Sequence, residues 1–213
     1  MTHSLHRRGK IEDLREDYVV VAMTSKENKE ATKPVLKDVA KIYFEVGVSN
    51  TGSSGLEINI PMGFDKEWFI ESIPKSHGLL CSFSSKAKLR EALKKLKEAD
   101  LGISITVSGV IDEVIPMAQE VGLKPHTINL SLGIIGKTEK LPDEEILQYN
   151  TMCGHALISN NLIRKGIGDV LCGSKTAREA SMMIAKPCVC GIYNLDRSDL
   201  MLAASADQRR ATK

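Results

Sequence analysis

No stretch of this chain approaches the roughly 18 consecutive apolar residues of a membrane span. Nor does one sign of charge dominate: 29 Lys+Arg stand against 27 Asp+Glu, a net charge of +2. A nucleic-acid binder shows a clustered basic face, and this composition provides none. Aromatic residues make up only 4%, and with Lys/Glu-rich helices this suits thermophily without requiring it. The first residues, Met1-Thr2-His3-Ser4-Leu5-His6-Arg7-Arg8, lack the apolar core of a secretory signal. The expectation is therefore a cytoplasmic protein with no membrane and no nucleic-acid partner. Structural disulfides are rare in that setting. Five cysteines, an odd number, then point to metal, iron–sulfur or catalysis before cross-linking.

What is present is a chain of 213 residues, 42% hydrophobic and 26% charged, long enough to bury a sizeable core. Residues 1–16 are polar and read as a loosely held N-terminal arm, in which His3 and His6 would share a face if helical. Residues 17–136 alternate strands and helices. Tyr18 to Met23 is continuously apolar and β-branched, a buried strand. Leu36, Val39, Ala40 and Tyr43 recur at helical spacing until Gly47. The Gly/Ser-rich run from Gly47 to Gly55 could cradle an anion, but it lacks the Gly-Lys-Ser/Thr entry into a helix that a P-loop needs. It reads as a flexible connector into a strand at Leu56 to Ile60. Asp65 caps a short helix carrying Trp68, Phe69 and Ile73, and Trp68 reads as core. Gly78 to Phe83 is a strand that makes Cys81 a small buried residue. Ser84 or Ser85 starts an amphipathic helix whose lysines form a solvated face.

Two later stretches alternate strictly. Leu101, Ile103, Ile105 and Val107 face one way and Gly102, Ser104 and Thr106 the other. After a helix near Asp112 to Val121, Ile128, Leu130 and Leu132 oppose Thr127, Asn129 and Ser131. Central strands of a parallel sheet covered on both faces are apolar throughout. The alternation therefore favours an α+β fold: a two-layer mixed sheet with its helices on one face, ferredoxin-like in spirit. A three-layer α/β sandwich is the alternative. The polar sheet face would meet solvent, a second subunit in a homo-oligomer, or the C-terminal segment.

Residues 137–206 form that segment, helical and Cys-containing, with 207–213 as a loose tail. His155 to Leu171 is helix-compatible, Thr176 and Glu179 make a capping box, and Cys188-Val189-Cys190-Gly191 is a bend after Pro187. Cys153 would sit just before a helix, where the dipole favours a thiolate. Cys188 and Cys190 are two apart, so both can reach one ion. The spacing matches neither a zinc ribbon nor a bacterial ferredoxin. Three readings follow. The first is a metal site of Cys153, Cys188 and Cys190 with Cys172 or His155 as fourth ligand: an iron–sulfur cluster, of the [4Fe–4S] type with an open iron, or a Cys3His zinc site. The second is thiol chemistry on an unidentified small molecule, with Cys153 as nucleophile, His155 as base, and Cys188 or Cys190 resolving. The third is a cofactor-free structural or interaction protein. Cys172 can simply be buried at a helix end.

The segments Thr151-Met152-Cys153-Gly154-His155 and Lys186-Pro187-Cys188-Val189-Cys190-Gly191-Ile192-Tyr193-Asn194, with Leu5-His6-Arg7-Arg8-Gly9, resemble an uncharacterised family of anaerobic archaea, methanogens among them, and bacteria. The resemblance implies an anaerobic cytosol, which tilts iron–sulfur above zinc and suggests redox chemistry or cofactor metabolism. It assigns no catalytic residue.

Overall fold

The computed structural model describes residues 6–24, 29–53 and 55–211. His3 lies outside them. In chain order the elements are α1 (Ile11–Leu14), β1 (Tyr18–Met23), α2 (Lys29–Thr32), α3 (Leu36–Val46), β2 (Asn50–Ser53), β3 (Ile58–Asn59), α4 (Lys66–Ser72), β4 (Gly78–Phe83), α5 (Lys86–Ala99), β5 (Ser104–Ser108) and α6 (Ile111–Glu120). The C-terminal part adds α7 (Glu144–Asn150), α8 (Asn160–Leu171), α9 (Ala177–Ala185) and α10 (Leu195–Ala211). None of the helices is long and apolar enough to cross a membrane, among the described residues.

The fold is α+β. Its five strands lie in the order β3-β2-β4-β1-β5, and every neighbouring pair is antiparallel, so the sheet is not mixed. β1-α3-β2 and β4-α5-β5 are two β-α-β units, each split by a strand of the other. The small β3 is a hairpin addition beyond β2.

β1 explains why the sheet is covered twice. Its unbroken Tyr-Val-Val-Val-Ala sequence puts an apolar side chain on both faces. Tyr18, Val20 and Ala22 pack with α3, α4 and α5 in one core. Val19 and Val21 pack with α7 to α10 in the other. Helices therefore lie on both faces, not one, and of the three expected occupants of the polar face (solvent, a second subunit or the C-terminal segment) it is the C-terminal segment that lies there. β2 and β4 meet the C-terminal segment with small polar groups: Asn50, Thr51, Ser53 and Ser82 are all buried, and Asn50 and Ser82 bond the Tyr193 carbonyl.

The sequence expectation also fails locally. The Gly/Ser run is no flexible connector, since it holds β2, buried along its length. The strand expected at Leu56 to Ile60 shrinks to two residues before Asn59 caps a 3-10 turn through Pro61. Trp68 is half exposed. Residues 127–132 form no strand at all and lie in water. The supposed loose tail continues α10 to Ala211.

Candidate active or metal site around three cysteines

The cysteine segment is seated on the sheet by backbone contact and buried amides. Gly191 adopts φ 73°, in the left-handed region. This turns the bend so that its backbone lies against Thr51 and Gly52. A Cβ on Gly52 would meet the Ile58 oxygen, the Gly191 nitrogen at 2.9 Å and the Val189 oxygen at 2.9 Å. The two glycines allow strand and bend to touch. Asn59 Nδ2 then donates to the carbonyl oxygens of Lys186 (3.0 Å), Cys188 (2.8 Å) and Ala185 (3.2 Å). Asn50 Nδ2 donates to the Tyr193 oxygen at 3.1 Å, joined by Ser82 Oγ.

A second clamp comes from the N-terminus. The expected loose arm is docked: the Arg7 side chain is 7% exposed, and its guanidinium pairs with Asp17. It also donates to the Met152 oxygen at 3.2 Å and to the Ile192 oxygen. Those carbonyls flank Cys153 and Cys190, so one side chain ties both cysteine loops together. Arg197 holds the other oxygen of Asp17 at 2.7 Å and the Arg8 carbonyl at 2.6 Å. Asn194 Nδ2 donates to Asp17 Oδ1 at 3.0 Å. Arg8 closes the arm through Glu144 and Thr151. Burial alone would raise the Asp17 carboxyl. The charges of Arg7 and Arg197 and the hydrogen bonds of Arg7 and Asn194 outweigh it and hold the group below its usual range.

Within this frame three thiols stand in a file. Cys188 Sγ lies 3.9 Å from Cys190 Sγ. Cys153 stands close enough that Cys188 and the charge of Cys190 both act on its thiol. Cys190 Sγ in turn lies 3.6 Å from His155 Nδ1. Cys153, Cys188 and Cys190 are buried, whereas His155 is exposed and forms the outer end of the file. As these side chains stand, no three His, Cys, Asp or Glu residues among those described close around a single ion.

The environment favours thiolates at both flanking positions. The Cys153 thiol is lowered to about 6, first by the hydrogen bond from Cys188 and then, against burial, by the backbone N–H groups of Leu157 and His155. Cys190 is likewise lowered to about 6 by Cys188, by the Ile192 N–H and by His155. Cys188 is pushed well up, because it is the shared donor and is fully buried. It has one proton, so it serves one neighbour at a time and the trio titrates as a unit. The helix dipole plays no part. α8 begins only at Asn160, with Ser159 as its N-cap, and residues 151–158 are turns in which Ala156 takes φ 55°. Cys153 is prepared by turn N–H groups, not by a helix start.

Of the five residues singled out, the fold brings together Cys153, His155, Cys188 and Cys190. Cys172 is left out: it is exposed at the end of α8, bonded to Asp169 O and Ser174, and not buried as a helix end would allow. Cys81 lies on the far face, buried in the same core as Tyr43. His155 Nδ1 meets Cys190 Sγ, while its backbone N–H acts on Cys153. Sequence reasoning missed Arg7, Asp17, Gly52, Asn59, Asn194 and Arg197. Arginines and small polar residues in loops are the only signal they leave.

The chain matches no known family model, curated protein or solved structure.

Proposed function

We propose that this is a metal-binding protein whose site takes one tetrahedral ion of the zinc class through Cys153, Cys188, Cys190 and His155 Nδ1. The carrying observation is the pair of contacts along the file. With metal–sulfur bonds of about 2.3 Å and metal–nitrogen bonds of about 2.0–2.1 Å, tetrahedral ligands stand roughly 3.8 Å (S to S) and roughly 3.6 Å (S to N) apart. Cys188–Cys190 at 3.9 Å and Cys190–His155 at 3.6 Å match those two edges. Cys153 and His155 would have to rotate to complete the shell, since as they stand no three such groups among the described residues close around one ion. The N–H groups of His155, Leu157 and Ile192 on the two outer sulfurs are what a bound thiolate requires around it.

The same spacing speaks against the [4Fe–4S] cluster expected from the sequence. A cubane seats each cysteine sulfur on a different iron, with its own width between them. A cluster would need Cys188 and Cys190 to move apart, whereas a single ion takes these two as they stand. When bound, a single ion would supply a cross-link between the two cysteine loops, with all four positions taken by the chain's own side chains. The residues of the chain do the rest: Arg7 and Asn59 fix the loops, and the sheet excludes water from the inner sulfurs.

Elemental analysis of reduced, anaerobically prepared protein tests this. One zinc-class ion per chain is expected, lost in Cys188→Ser and Cys190→Ser and retained in Cys172→Ser. Brown protein with broad absorbance near ~400 nm would restore the cluster reading. Absence of both metal and colour would remove the metal reading. A second reading, thiol chemistry, then gains from the Cys190–His155 contact, with Cys190 in place of Cys153 as the activated thiol.

A further inference from the structure

We propose that Cys188 and Cys190 are a modification site: a hydroperoxide oxidises Cys190, and Cys188 resolves it into a reversible disulfide within their own turn. Both thiols are free, and their Sγ atoms stand 3.9 Å apart. The Gly191 N–H donates to the Cys188 carbonyl at 2.9 Å, so the two cysteines are the first and third residues of a reversing turn. Residues two apart in such a turn fall within the ~4.4–6.8 Å between Cα atoms that a disulfide spans. Closing the bond draws the two sulfurs together by about 1.9 Å.

The third sulfur is on another loop. Cys153 belongs to the turns between α7 and α8, which Arg7 ties to the cysteine bend through the Met152 and Ile192 carbonyls. A bond from Cys188 to Cys153 has to move one clamped loop against another. A bond from Cys188 to Cys190 leaves both loops in place, with Asn59 still holding the Cys188 carbonyl at 2.8 Å. Burial sets the oxidant and the order. Cys188 is 0% and Cys190 1% exposed, so a protein disulfide has no path to either sulfur and only an oxidant of a few atoms fits. Cys190 Sγ lies 3.6 Å from Nδ1 of the exposed His155. A displaced His155 ring uncovers Cys190, with Cys188 behind it.

The chemistry balances with the peroxide alone. The Cys190 thiolate attacks one peroxide oxygen, the O–O bond breaks, and hydroxide leaves to take up the proton the thiol has shed. Cys190 is then a sulfenic acid. The Cys188 thiol attacks that sulfur: the S–S bond forms, the S–O bond breaks, and the hydroxyl departs with the Cys188 proton as water. Two thiols are oxidised, and one hydrogen peroxide is reduced to two waters. Formation of the bond does not depend on a metal. Its consequence does rest on the metal reading: the disulfide and the ion use the same two sulfurs, so each excludes the other.

The full chain is stripped with a chelator under reduction, freed of both reagents, and treated with equimolar hydrogen peroxide. Remaining thiols are alkylated and the tryptic peptides weighed. Peptide 179–197 holds both cysteines, because Lys186 precedes Pro187 and escapes cleavage. It is expected unalkylated at both, lighter by two hydrogens, and restored by dithiothreitol. Cys153→Ser and Cys172→Ser should form the same bond, and protein loaded with zinc should resist it. A disulfide joining 179–197 to the peptide of Cys153 overturns the proposal. So does a 179–197 peptide that stays alkylated at both cysteines, or one carried only to sulfinic acid. Zinc binding without the bond removes this proposal alone, and the bond in a chain that binds no zinc removes only the metal reading.

Discussion

Asp17 is a fully buried carboxylate held between two guanidiniums that are themselves almost buried. Asp17→Asn removes the charge and leaves Arg7 and Arg197 without a counter-ion. Breaking a buried pair in this way costs about 3–5 kcal/mol, to be read as a lower urea midpoint with unchanged slope. The pH dependence has a definite sign. The folded-state pKa lies below the unfolded value, so the stabilisation is complete above the ordinary carboxylate range and is lost as pH falls through the depressed value. Acid unfolding should be shallower in Asp17→Asn than in the parent chain. Gly52 is the other single atom's-width position. A methyl there must displace the Cys188–Gly191 bend, so Gly52→Ala should lower stability by about 1–3 kcal/mol and reduce metal content where Ser53→Ala does not. Neither residue was legible beforehand. A lone Asp after a polar arm and a Gly within a Gly/Ser run carry no periodicity, and their roles exist only once distant backbone is brought beside them.

Among elements, the helices were legible and the small strands were not. Helix α9 begins where Thr176 and Glu179 form a reciprocal cap, and α5 where Ser85 receives the Lys88 N–H. Local hydrogen bonding decides these starts, so local sequence reports them. Thr176→Ala should cost about 1 kcal/mol, measurable as a fall in melting temperature without change in metal content. β2 escaped because its stability is not local. Asn50-Thr51-Gly52-Ser53 has poor strand propensity. It is held by pairing with β4 and β3 and by the amide bonds of Asn50 and Asn59 to the cysteine segment. The reverse error at 127–132 follows equally. Alternation measures suitability for a sheet, and this stretch pairs with no strand among the described residues.

At the scale of the molecule, the sequence reads as a sheet domain with a cysteine segment docked on or beside it, and the packing shows how much the sheet depends on that segment. Val19 and Val21 of the central strand, with 0 and 3% exposure, are buried only because α7 to α10 lie over them. The polar residues of β2 and β4 depend on the same layer: Asn50 and Ser82 bond the Tyr193 carbonyl, and Ser49 Oγ bonds Asn194 Oδ1 at 2.9 Å. A chain ending at residue 136 therefore loses its apolar cover and, in the same step, leaves buried donors without acceptors. Each unsatisfied group costs about 1–3 kcal/mol, and whole domains are stable by only about 5–15 kcal/mol. Residues 1–136 alone should thus bind a hydrophobic dye, show no cooperative thermal transition and aggregate. Supplying residues 137–213 as a separate chain during refolding should restore a cooperative transition, because the lost contacts are specific carbonyls and not merely apolar area. If 1–136 instead melts cooperatively by itself, the helix-covered core around α3 and α5 suffices, and the cysteine segment is an attachment to a finished sheet.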